Sequence, residues 1–140
     1  MMVVGHELAH VPQLGSLHQL TVDAYAAQHA GPQAPAIGVA FALIGLFLAL
    51  DEGWTGGAVR AAHQHLAADH LDLPQFTPPS VPAPLTIAHV AGSRGPHAHA
   101  RRVHEWAASV WHAWSTEHAR IREWADRTLT DAVRARLRSA

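Results

Sequence analysis

Apolar residues recur at helical spacing along most of the chain, and prolines and glycines mark where each run stops. Pro12 and Gly15 end a short first segment. Ser16 is then placed to cap a helix running to about His29, where Ala30-Gly31-Pro32 stops it. Pro35 suits the first turn of a second helix that ends near Leu50 and is closed by Asp51-Glu52-Gly53. Thr55 is placed to cap a third, to about Leu71. Residues 72–85 hold Pro74, Pro78, Pro79, Pro82 and Pro84, which require an extended connection. Thr86 opens a single turn that Gly92 to Pro96 break. One long helix is expected from about His97 to Asp126, with Thr130 capping a short C-terminal one. No strand-like alternation and no internal repeat stands out. The pattern predicts an all-α bundle of four main helices with a proline-rich crossover, in a single helical domain spanning 1–140.

Two stretches carry the core of that expectation. Val103, Trp106, Val110, Trp114, Ile121 and Trp124 fall within about 60° on a helical wheel, a packing stripe. Trp111 lies off it with His104 and His118 at heptad spacing, a mixed face that can line a cleft or meet a second subunit; a homodimer is the candidate assembly. Ala34–Leu50 is the most apolar run. It contains Pro35, Gly38 and Gly45 and has no basic flank, whereas a spanning helix wants about 20 residues and basic ends. It is expected to lie buried within the bundle, with no membrane contact. Gly38 and Gly45 share a face where another helix can approach closely.

Composition adds exclusions. With 49% apolar residues, 15% charged and five Trp, the chain is built to fold. A net charge of −1 gives no global field to recruit nucleic acid. Arg134, Arg136 and Arg138 suit a helix C-terminus without a nucleic-acid partner. Cysteine is absent, which removes disulfides, thiolate metal sites and a cysteine nucleophile, and fits a reducing cytoplasm. Met1 to His10 carries no secretory apolar region. The thirteen histidines are the anomaly.

The segment His18-Gln-Leu-Thr-Val-Asp-Ala-Tyr-Ala-Ala-Gln-His29 resembles the signature of an uncharacterised bacterial family, a domain of unknown function reading H-x-L-T-V-D-A-Y-x-x-Q-H-P-G. The resemblance continues in Val39 to Leu46, in Thr86-Ile-Ala-His-Val90, and in Trp106-Ala-Ala-Ser-Val-Trp-His-Ala-Trp114 with His118 and Trp124. It implies a compact helical domain and no particular activity. Two departures bear on metal chemistry. The family's histidine in the second helix is replaced by Ala42, and its cysteine-bearing N-terminal segment has no counterpart here.

Three sets of residues can carry chemistry. In the signature helix His18, Val22, Tyr25 and His29 share a face. His18 and His29 are about 16 Å apart along the axis, so one ion cannot take both directly. A metal site drawn from His18, His29 and His118 therefore needs one signature histidine plus others from the bundle, with a divalent ion such as zinc as the candidate cofactor. A ligand pocket would use Tyr25, Gln28 and His29 against Trp111 and His118, with Asp23 beside them. Asp23 itself turns away from the histidine face, where a cap or an arginine partner is its simplest role. His6-Glu7-Leu8-Ala9-His10 matches H-E-x-x-H, which would make His6 and His10 zinc ligands and Glu7 a base. The extended motif fails, since Gln13 and Ser16 stand at its Gly and His places. His63 and His70 read as a solvated helix face. The functional expectation is a small helical binding or structural module with a His/Tyr/Gln cluster for a metal or small ligand. The alternative is a zinc metallopeptidase at His6, Glu7 and His10.

Overall fold

The computed structural model describes residues 17–68 and 73–139, and among them every regular element is helical. Helix α1 covers 17–28 and ends where Gly31 and Pro32 follow. Helix α2 (Ala36–Leu46) starts directly after Pro35 and widens into a π-helical turn, Phe47–Asp51. Gly53, at φ +71°, reverses the chain, a conformation that costs glycine little. Helix α3 (Gly56–Ala68) is capped by Thr55, whose Oγ1 accepts from Ala58 N at 3.2 Å.

After the proline-rich crossover come a single turn, α4 (Ala88–Ala91), and α5 (Gly95–Ala113) with Pro96 in its first turn. A 3-10 turn (Ser115–Glu117) leads into α6 (His118–Thr128). Helix α7 (Asp131–Arg138) is capped by Thr130, whose side chain accepts from Val133 N. The long helix expected over 97–126 is thus two helices, so that the described residues hold seven helices: three of the expected main ones, the fourth in two pieces, the single turn α4 and the short C-terminal α7. The break has a local cause. Trp114 leaves helical geometry and its indole N–H reaches Ala27 O at 3.2 Å. Glu117 turns inward, 6% exposed, and accepts from Thr77 N at 2.7 Å. The apolar stripe survives the break: Val103, Trp106, Val110, Trp114, Ile121 and Trp124 are all buried, and so is Trp111.

Helix α2 is the axis of the molecule. It packs against α3, α5 and α6, and from Val39 to Leu48 all but Phe41 are buried. That explains an apolar run without a polar face: the helix is enclosed on every side. Among the described residues no helix is long and apolar enough to cross a membrane. The crossover is strapped to α1, α5, the 3-10 turn and α6 by four polar contacts. Gln28 Nε2 donates to Leu85 O at 2.7 Å, and Leu85 N donates to Ser109 Oγ at 3.3 Å. Glu117 holds Thr77 N, and Arg120 donates to Gln75 O at 3.0 Å while pairing with Glu117 at 2.7 Å.

Candidate functional site

Helix α1 places its polar residues in three different environments. Gln28 is a structural bridge. Its Oε1 accepts from the indole N–H of buried Trp106 at 2.8 Å while its Nε2 holds the crossover at Leu85. Tyr25 and His29 lie outside. Tyr25 is 48% exposed, the His29 ring stacks on it at 4.0 Å, and His29 Nδ1 donates to the carbonyl of Tyr25 at 2.9 Å. His18 is exposed on the same helix and lines a groove of about 310 Å³ with Thr21, Val90 and Trp106.

Asp23 is the buried member, 4% exposed, and neither a cap nor an arginine partner. Its carboxyl is wedged between α1 and α2. A Cβ on Gly45 would lie 2.0 Å from Asp23 Oδ2, so only glycine leaves room for the acid. From α3, His63 reaches the same place: its Nε2 lies 3.2 Å from that Cβ position and donates to the Phe41 carbonyl at 2.8 Å. Its ring also stacks on Phe41 at 5.3 Å. His63 is therefore part of the interior and not of a solvated face. The close approach expected at the helix-two glycines occurs at Gly45 alone, since Gly38 has nothing within 4 Å of its Cβ position.

Electrostatics set this joint apart. Gln19, one turn before Asp23, donates Nε2 to both carboxyl oxygens at 3.2 and 3.3 Å, and among the described residues no cation pairs with the acid. Burial raises the Asp23 pKa from 3.8 to about 7, against a smaller lowering by Gln19. Burial lowers that of His63, and the bond to Phe41 opposes it only in part, so this imidazole stays neutral where a free one begins to charge. Beside Asp23 is a cavity of about 50 Å³, walled by Gln19, Leu20, Ala49, Trp54, Gly56, Val59 and His104. A carboxyl that titrates near neutrality at the edge of such a space can give up its proton to solvent or hold a positively charged group.

The pocket expected between Tyr25, Gln28, His29, Trp111 and His118 is not assembled. Trp111 and His118 stack on each other at 3.8 Å. His118 Nε2 donates to Trp111 O, and the Trp111 indole N–H reaches Asp51 Oδ1 at 3.2 Å. These partners tie α5 and α6 to the π-helical end of α2. The metal set is corrected too: His18, His29 and His118 are not brought together, and among the described residues no group of three His, Cys, Asp or Glu could hold an ion. Ala42 is buried in α2. His6, Glu7 and His10 lie outside the described residues, as do Ser16 and His70. His63 and Trp54 are the site residues that sequence reasoning missed, and the seven-residue glycine spacing in helix two pointed toward them; His104, expected on a mixed cleft-lining face with Trp111 and His118, lines this cavity apart from those two.

A family model described as a family of unknown function (DUF5946) matches residues 2–115, and the chain belongs to that family. The match spans α1 to α5, including Asp23, Gly45, His63 and His104. Neither the curated proteins nor the solved structures contain a match to the chain.

Proposed function

We propose that this member of a family without assigned activity is a small-ligand binding module whose signature helix builds the site around Asp23, at the α1–α2–α3 joint. The observation that carries the reading is the carboxyl itself: buried, held by one amide, without a cationic partner among the described residues, and opening on a cavity. An uncompensated buried acid costs several kcal/mol, so it persists where something offsets the cost: a proton or a bound group. A purely structural role would be served as well by an amide of the same shape. Among the described residues the cavity wall supplies a carboxyl, an amide, an imidazole and an indole but no hydroxyl or thiol nucleophile, which favours binding over group transfer.

The test is a screen of small polar compounds against the full chain, read by ¹H–¹⁵N spectra. The indole N–H of Trp54 reports the cavity, because it is fixed by Glu52 Oε1 at 3.2 Å. A binder should move the Trp54 and Gly56 resonances in the wild type and leave them unmoved in D23N. Compounds that shift only the Trp111 indole, or that shift D23N equally, would remove Asp23 from the site.

A further inference from the structure

The atoms around Asp23 also specify an occupant, an inference that rests on reading this cavity as the ligand site. The hydrogen-bond donors of Gln19, His63 and Trp54 are already spent, and acceptors are left over. Gln19 uses its Nε2 on the acid, which leaves its Oε1 free to accept. His63 uses Nε2–H on Phe41 O, so its Nδ1 carries a lone pair. The Trp54 N–H is spent on Glu52, which leaves an electron-rich indole in the wall. The volume, about 50 Å³, holds a few water-sized groups and excludes a drug-sized ligand.

We propose that this cavity binds the primary ammonium group of a small organic cation, which takes the place of the Asp23 proton. In the exchange the carboxyl releases H⁺ to solvent and the R–NH₃⁺ group enters, so the site gains one cation for one proton. The ammonium brings three donors to a place with surplus acceptors, and a desolvated carboxylate gains the partner it lacks. The groups facing Asp23 are Gln19 on α1, His63 on α3 and His104 on α5, while α2 presents uncharged Gly45. Glu52 and Arg138 engage Trp54 farther along, Arg138 over the ring at 5.5 Å.

Because the acid titrates near pH 7, the proton is a competitor. Affinity should fall about tenfold from pH 8 to pH 6, the ratio set by a single proton competing at that pKa. The experiment titrates methylammonium chloride into the full chain at pH 8 and pH 6, following the Trp54 indole against equal sodium chloride. Tetramethylammonium, with the same charge and no N–H, and magnesium chloride are run beside it. Saturable shifts with methylammonium, weaker at pH 6, absent with tetramethylammonium and lost in D23N, are expected. Equal response to tetramethylammonium, a pH-independent response, a response in D23N, or no response at pH 8 would overturn the proposal. If methylammonium fails while a neutral or anionic compound from the screen moves the same resonances, the cavity stands as a ligand site and only the ammonium assignment falls. If nothing moves them, both readings fall.

Discussion

At the scale of single residues, Asp23 is where the chain spends stability. An acid whose folded pKa is raised above its unfolded value destabilises the folded state wherever it must ionise. The loss begins as pH rises past about 3.8, grows until about 7, and is constant above that. His63 acts in the opposite sense. Its lowered pKa costs stability on acidification below 6.5, so the two buried groups partly cancel in mildly acidic solution. The contribution of Asp23 is isolated by comparing the wild type with D23N, which carries the shape of the protonated acid and no titration. The stability advantage of D23N is expected to widen by roughly 2–3 kcal/mol between pH 5 and pH 8, measured by urea denaturation at each pH. A gap that stays constant would mean that the acid is ionised with a partner throughout. Little of this was legible in the sequence. A helical wheel separates Asp23 from the histidines, correctly, but cannot say that the face it occupies is closed by another helix. The exposed pair Tyr25 and His29 was the conspicuous one, since a phenol and an imidazole four residues apart look like a site; the structure spends them on each other.

At the scale of elements, the joint depends on what Gly45 omits. A Cβ tilts toward the N-terminus of its helix and covers the turn before it. Without one at position 45, the Phe41 carbonyl one turn earlier stays accessible to His63, and Asp23 descends onto α2. One missing methyl therefore admits two polar side chains from two helices. G45A should force a carboxyl oxygen out of a position 2.0 Å from the new carbon, with neighbours packed too closely to yield. The expected cost is about 2–4 kcal/mol in the wild type, and under about 1 kcal/mol when D23A is already present, because the obstructing atoms are gone. A double-mutant cycle by chemical denaturation measures the difference, and additive costs would show that α1 does not seat on Gly45 through Asp23. Helix starts at Thr55 and Thr130 and the stop after α1 could be read from the chain, because capping and proline chemistry are local. The break at 114–117 could not. It is held by Glu117 and Trp114 reaching Thr77 and Ala27, contacts that exist only once the crossover and α1 are in place.

At the scale of the molecule, the family match and the folding unit have different ends. The match stops at residue 115, yet α6 and α7 complete the core built by α1 to α5. They and the corner between them supply Ile121, Trp124, Ala125, Leu129 and Leu137, all buried. Helix α6 packs on α2, the central helix, and α7 packs on α3, which carries His63. Polar contacts follow the same lines. Arg134 pairs with Glu52 beside the Trp54 indole and with Asp126 at 2.7 Å, and Arg120 with Glu117 secures the crossover. Burying four large apolar side chains contributes about 8 kcal/mol, comparable to the whole net stability of a domain this size. A chain ending at residue 115 should therefore lose the near-ultraviolet circular dichroism of its packed tryptophans and its cooperative urea transition, while keeping part of its helical signal. The same chain should also lose the Trp54 response to ligand, since α3 and the Glu52–Trp54 corner lean on α7 through Arg134 and Arg138. If it unfolds as sharply as the full chain, α6 and α7 are an attachment and the site is complete without them. If it does not, the Asp23 joint exists only because two helices outside the matched region hold α2 and α3 in place around it.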